Sequence, residues 1–238
     1  MMRKVNLLTC IALICCVLMN PLGALAEAPW FELYLRLLEK NGQMSDGDQA
    51  GEFCLIDVDM DGTPELLLTV WDGKKKATYA HIYRYVNGKA VRCPSIKMGP
   101  VDGGGAYVHL FRSQTGYAVW MVNTADCRKV EADSRDYVLK AAKNGNILAQ
   151  EKFRYRMLFS GKTTYYVNKK KTSAKKYTKQ LEKWENTHTE ILVEDDFYPE
   201  MIDTYHTDDK DTLRQYLREA ADSFSYARKT ILSNLKMG

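Results

Sequence analysis

The chain is 238 residues long, with a formal charge of +4, 45% hydrophobic residues and 27% charged residues. That length can bury a full core without disulfide staples, as one large or two small domains. The near balance of charge gives no argument for nucleic acid or for a strongly acidic partner.

Residues 1–26 have the three parts of a secretory signal. Arg3 and Lys4 supply the positive start, Val5 to Leu18 is largely apolar, and Ala24-Leu25-Ala26 is a small-residue cleavage site. The apolar run is short for a membrane span, and Asn20, Pro21 and Gly23 interrupt it. Cys10, Cys15 and Cys16 lie inside the apolar region, so no cysteine stands where a lipid anchor would need one. The expectation is a secreted, extracellular chain cleaved after Ala26, with no transmembrane segment in the mature part. Loss of Arg3 and Lys4 lowers the formal charge to about +2. Three cysteines then remain, Cys54, Cys93 and Cys127, enough for one internal bridge with one thiol left over. Cys54 sits in an apolar run and reads as core. A Cys93–Cys127 bridge stays open.

Pro29 to Asn41 reads as a helix: Pro29 suits a first turn, and Phe31, Leu35 and Leu38 recur at helical spacing. Asn41-Gly42 stops it, and Gln43 to Gly51 reads as a loop. Phe53 to Ile56 and Leu66 to Val70 are short apolar runs without alternation, as expected of strands covered on both faces. A series of hairpins follows. Asn87-Gly88 joins Thr78–Val86 to Lys89–Cys93, the strongest two-residue turn signal in the chain. Ser113-Gln114-Thr115 joins Ala106–Arg112 to Gly116–Val122, and Lys143 to Asn146 joins Tyr137–Ala142 to Ile147–Tyr155. Ser160-Gly161-Lys162 leads into Thr163–Val167. From Asn168 the composition changes. Thr172-Ser173 caps a helix carrying Tyr177, Leu181 and Trp184. A last helix should start near Thr207-Asp208-Asp209, with Leu213, Tyr216, Leu217 and Ala220 as its stripe. Ser223 to Leu235 continues it, with room for a break.

The densest chemistry lies between the first two strands. Asp57, Asp59, Asp61 and Glu65 put four carboxylates in nine residues, which repel one another strongly unless a cation sits among them. Counting Asp57 as position one, they fall at one, three, five and nine. Gly62 at six allows the sharp turn, and Thr63 at seven offers a carbonyl oxygen. Such a set suits a hard, oxygen-seeking ion, and calcium is the natural candidate. An EF-hand needs a glutamate at position twelve. That position is Leu68, so the loop is not an EF-hand.

The segment DVDMDGTPEL, Asp57 to Leu66, resembles the D-x-D-x-D-G-x-x-D/E loop of FG-GAP/VCBS-type repeats, which join two strands and bind calcium. Its D-G-x-P-E-L form also resembles a group of secreted proteins of Gram-positive gut bacteria, in which the motif follows an N-terminal helix and precedes hairpins. The resemblance implies one calcium ion held by Asp57, Asp59, Asp61, Thr63 and Glu65. FG-GAP proteins carry several copies in a propeller, whereas this chain has one.

Other motifs read as ordinary structure. Gly161-Lys162-Thr163 lacks the earlier glycine of a phosphate loop, Arg156 standing in its place. Gly103-Gly104-Gly105 reads as a loop. His81, His109, His188 and His206 form no zinc pattern, and no serine-hydrolase elbow occurs. Glu194-Asp195-Asp196 and Asp208-Asp209-Asp211 could supply paired carboxylates for glycoside chemistry. Tyr79, His81, Tyr83 and Tyr85 share one strand face, and Tyr107, His109 and Phe111 another. Exposed and adjacent, these faces would stack on sugars; otherwise they pack beneath the helices. Lys169 to Lys171, Lys175, Lys176 and Lys179 read as a solvated face, with anionic cell-wall polymer as the alternative partner.

The sequence therefore predicts an α+β fold: a central antiparallel meander, open to a propeller-blade form, with an N-terminal helix and C-terminal helices. Residues 27–168 form the β-rich part and 169–238 a helical part packed on it. The expected function is a secreted or cell-envelope binding or structural protein, stabilised by one calcium ion and meeting a protein or glycan at the cell surface. A carbohydrate-binding module and a secreted hydrolase are the alternatives.

Overall fold

The computed structural model describes residues 28–42, 50–98, 106–126, 130–143, 145–191, 201–204 and 209–236. The predicted signal at 1–26, Cys127, Gly103 to Gly105, Glu194 to Asp196, His206 and Thr207-Asp208 lie outside them. The elements in chain order begin with α1 (Phe31–Gly42), β1 (Ala50–Ile56), β2 (Glu65–Asp72), β3 (Ala77–Val86), β4 (Lys89–Arg92) and β5 (Ile96–Lys97). Next come β6 (Ala106–Ser113), β7 (Ala118–Asp126), β8 (Ala132–Ala141), β9 (Ile147–Met157), β10 (Thr163–Val167) and β11 (Lys170–Thr172). The chain closes with α2 (Ala174–Glu185), β12 (His188–Glu190), β13 (Ile202–Asp203) and α3 (Lys210–Lys236).

The fold is α+β and mostly antiparallel β, as the alternation of hairpins implies. The strands divide between two sheets. Sheet A runs β13-β1-β2-β3-β4, with β5 also on β3; sheet B runs β11-β10-β9-β8-β7-β6-β12. Their inner faces pack on each other: Cys54, Ile56, Leu67, Ala80 and Ile82 of sheet A share one core with Val108, Leu110, Trp120, Val122 and Leu139 of sheet B. The strands thus form two stacked layers.

Period-two alternation sends the other residues of β1 and β2 outward. Phe53, Leu55, Leu66, Leu68 and Val70 meet Phe31, Tyr34, Leu35 and Leu38 of α1 and Leu213, Leu217 and Phe224 of α3. Both faces of β1 and β2 are covered, which is why their sequences are continuously apolar. Burial of each such side chain contributes about 1.5–3 kcal/mol. On the far side, α2 covers part of sheet B: Tyr177 and Trp184 meet Phe153 edge-on at 5.9 and 6.2 Å, and Trp184 meets Phe111 at 6.3 Å.

Two local signals fold as expected. Asn87 and Gly88 both have positive φ, 49° and 76°, the type I′ geometry that matches strand twist. Ser173 caps α2, accepting from the Lys176 amide at 3.3 Å. The last helix is unbroken. Asp209 Oδ2 accepts from the Thr212 amide at 2.8 Å at its start, and α3 then continues for 27 residues, about 40 Å at the α-helical rise. Its first half lies with α1 on sheet A. Its second half places Ala227 and Ile231 in the core between the sheets. Residues 169–238 also supply strands, β12 on β6 and β13 on β1. Among the described residues, no helix is long and apolar enough to cross a membrane.

Candidate metal centre

Residues 57 to 64 connect β1 to β2, whose register pairs Ile56 with Glu65. The loop closes on itself through its own aspartates. Asp57 Oδ2 accepts from the Gly62 amide at 3.0 Å, and Asp61 Oδ1 accepts from the Thr63 amide at 2.7 Å. The turn requires positive φ at Met60 (61°) and Gly62 (91°). Glycine is needed at 62 for a second reason: a Cβ there would lie 2.9 Å from Nη2 of Arg228.

This curl brings Asp57, Asp59 and Asp61 together, with one carboxylate oxygen from each lying within 4.8 Å of the others. The three could hold a metal ion. Asp57 is buried, Asp59 half-buried and Asp61 exposed, so the group opens to solvent at one end. Asp57 Oδ1 is buried with no hydrogen-bond partner among the described residues. A buried, unpaired carboxylate oxygen costs free energy unless something neutralises it. Burial raises the Asp57 carboxyl above the usual range, against the hydrogen bond and charge of Arg228. All the converging donors are hard oxygens.

Thr63 is half-buried and gives its amide to Asp61. Glu65 stands apart from the group of three. It is the first residue of β2 and only 2% exposed; Oε2 accepts from the Val58 amide at 2.8 Å, and Oε1 from Arg84 Nε at 3.0 Å. Burial pushes its carboxyl up to about 8. Leu68, at position twelve, is fully buried beneath the helices, which excludes an EF-hand glutamate there in physical terms as well.

Two arginines reach the loop from elsewhere. Arg84 on β3 pairs with Asp59 and Glu65 and also donates to the carbonyl of Gly145 in the turn after β8. Arg228 on α3 donates to Asp57 Oδ2 at 3.1 Å. Four carboxylates thus face two guanidinium groups, and full ionisation leaves two negative charges uncompensated. Both arginines left a trace in the sequence. Arg84 breaks the inward alternation Ala80, Ile82, and Arg228 stands one turn after the buried Phe224. Two neutral contacts fix the loop's ends. Trp120 Nε1 on sheet B donates to the Asp57 carbonyl at 2.7 Å, and the Tyr34 hydroxyl on α1 lies 2.7 Å from the Pro64 carbonyl.

Among the described residues, the other candidates do not assemble into one site. β3 and β6 belong to different sheets, and Ala80, Ile82, Val108 and Leu110 turn inward to the shared core. Their aromatic faces therefore look away from each other. Tyr83 is buried under α1 and Phe111 packs on Trp184, whereas Tyr107 is 62% exposed. Asp209 caps α3. Cys54 and Cys93 are buried free thiols. Lys169 to Lys171, Lys175, Lys176 and Lys179 are exposed. No protein-family model matches the chain, and no curated protein or solved structure is found similar to it.

Proposed function

We propose that this chain is a secreted or cell-envelope binding protein whose sandwich is held by one calcium ion in the loop from Asp57 to Glu65. The observation that carries the reading is the buried, unpartnered Oδ1 of Asp57 beside the converging carboxylates of Asp59 and Asp61. With Glu65 protonated, as its burial favours, the three aspartates still outnumber the guanidinium groups of Arg84 and Arg228, and a divalent cation would neutralise the excess. Oxygen-only donors and an open, solvent-facing end favour calcium, which takes six to eight ligands at flexible geometry and accepts water among them. Asp57, Asp59 and Asp61 would ligate directly, with the Thr63 carbonyl next in line. Glu65 would act as a brace through Val58 and Arg84.

The ion's role is structural. Extracellular modules bind calcium at about 10⁻⁴ to 10⁻³ M. At about ten times Kd, such a site adds about 1.4 kcal/mol to stability. The loop lies where β1, β2, β3, β7 and α3 meet, so this modest energy acts at the joint between both sheets and the last helix. Calorimetric titration of the secreted chain with calcium and with magnesium tests the assignment. One saturable calcium site, with magnesium weaker, is the expected result. Undetectable calcium binding up to several millimolar would remove it.

A further inference from the structure

The small net charge of the chain hides a segregation. Residues 151–185 hold eleven Lys and Arg against three Glu, a formal +8, whereas the whole chain carries +4. The rest of the chain is therefore acidic in balance, and the basic residues gather on sheet B, along β9, β10, β11 and α2.

The outer face of α2 organises them. Tyr177 and Trp184 turn inward onto Phe153, and Tyr177 also meets Tyr165 at 5.0 Å. At 3.6 residues per turn, Lys175, Lys176, Lys179 and Lys183 then fall on the opposite side, and all four are exposed. Lys175, Lys179 and Lys183 recur every four residues, about 6 Å apart along the axis. Lys170 pairs with Val167, on the same face of sheet B as Tyr165, and so borders the helix. Glu182 and Glu185 are the acidic residues of α2. Among the described residues, none of Lys169, Lys170, Lys175, Lys176, Lys179 and Lys183 is in an ion pair.

Three of these lysines stand where local structure disfavours them. The first turn of α2 has Lys175 and Lys176 and no acidic residue, although the positive end of the helix dipole favours carboxylates there. Lys169 has a φ of 65° in the β10–β11 turn, a conformation that glycine adopts without strain. Residues that break local rules and find no partner within the chain point to a partner outside it.

What the face has and lacks selects that partner. Its charges are ammonium groups, which neutralise phosphate as point charges, whereas the planar fork of arginine suits bidentate carboxylate recognition. Tyr177 and Trp184 are packed on the sheet, so nucleic-acid bases would find no ring to stack on. None of the exposed large apolar residues lies on α2, so nothing on it would enter a lipid surface. We infer that the outer face of α2, with Lys169 and Lys170 beside it, binds a linear phosphodiester polymer without bases, a polyol phosphate chain laid along the Lys175-Lys179-Lys183 row. The inference names a partner for the binding protein proposed above and rests on that reading, but its site lies on sheet B and needs no calcium.

The test is titration of residues 27–238, in chelator and at low salt, with four probes: poly(glycerol phosphate), an oligothymidylate of equal phosphate count, polygalacturonate and phosphatidylglycerol vesicles. The polyol phosphate should bind saturably and more tightly than the other three. Its log K should fall linearly with log salt. Lys175→Gln/Lys179→Gln/Lys183→Gln should reduce that slope by about 2, at about 0.7 per phosphate contact, and weaken binding roughly tenfold or more. Lys74→Gln/Lys89→Gln/Lys97→Gln removes the same charge from exposed positions on and beside sheet A and should leave the slope unchanged. Circular dichroism checks that both variants fold. The inference is overturned if poly(glycerol phosphate) does not bind, if another probe binds more tightly, or if the two folded variants weaken binding equally. Because every titration is run in chelator, such a failure leaves the calcium assignment standing, and melts in calcium decide that assignment separately.

Discussion

Arg228 in the second half of α3 donates its Nε–H to Oδ2 of Asp57 at 3.1 Å, joining residues 171 positions apart in sequence. It is the link between the C-terminal helix and the acidic loop, and it puts a fixed positive charge beside the candidate ligands. The same contact should therefore stabilise the metal-free fold and compete with the metal.

Arg228→Ala tests both effects at once. In chelator it leaves a buried carboxylate without its partner, and the fold should lose about 1–3 kcal/mol. Calcium affinity should rise, because the loop then carries one more uncompensated negative charge. Urea denaturation and calorimetry read the two effects. A variant that is destabilised and also binds calcium more weakly would contradict this account of Arg228.

Gly62→Ala addresses the same contact from the loop side. At φ of 91°, a non-glycine residue costs about 1–2 kcal/mol in backbone strain. Its Cβ would also sit 2.9 Å from Nη2 of Arg228 and drive the guanidinium away. Denaturation midpoints should fall by more than the strain alone, and in an Arg228→Ala background only the strain should remain. Equal losses in both backgrounds would mean that the close approach carries no energy.

Trp120 couples sheet B to the loop. It is 1% exposed, and its indole N–H donates to the Asp57 carbonyl at 2.7 Å. Trp120→Phe keeps an aromatic ring but removes that donor and leaves a void, at a cost of about 2–4 kcal/mol. Calcium binding should weaken with it, because the end of β1 is no longer pinned. Chemical denaturation and calorimetry on the same sample check both effects.

Burial, with Arg92 and Lys75 nearby, pushes the His81 imidazole down to about 4. In the unfolded chain it titrates near the usual value of about 6.5. Between those values the unfolded state binds more protons than the native state, so stability rises with pH across this window and is lost as pH falls through it. Because the ring is partly solvated, the contribution is discounted to about 1–2 kcal/mol. NMR titration should place His81 well below 6.5, and His81→Gln should flatten stability between about pH 4 and 6.5. A native His81 titrating at or above 6.5 would contradict it.

The parts of the fold written in local chemistry were legible in the sequence. The apolar spacing of Phe31, Leu35 and Leu38 marked α1, Asn87-Gly88 marked its hairpin, and Ser173 marked the cap of α2. The Asp57-Asp59-Asp61 spacing marked the loop, because a curled backbone needs only those residues and Gly62 to bring the carboxylates together. What was not legible depends on distant partners. The division into two sheets is decided by which inner faces meet. β12 and β13 span only 3 and 2 residues, too few for a pattern. β11 follows Asn168 and Lys169, both at positive φ, a turn that the lysine hides. The place of Glu65 beside Arg84, and the approach of Arg228, were likewise set by tertiary contacts. Both arginines nonetheless sit where an apolar pattern is broken, and that break is the signal to look for.

Calcium taken up by the acidic loop should stabilise the whole sandwich. Thermal melts of residues 27–238 in calcium and in chelator test it, with Asp57→Ala/Asp59→Ala as the partner variant. A gain of about 1.4 kcal/mol in a domain of this size corresponds to a shift of about 3–6 °C. That shift is expected in the parent chain and none in the variant. Identical parent melts in calcium and in chelator, or an equal shift in the variant, would contradict it.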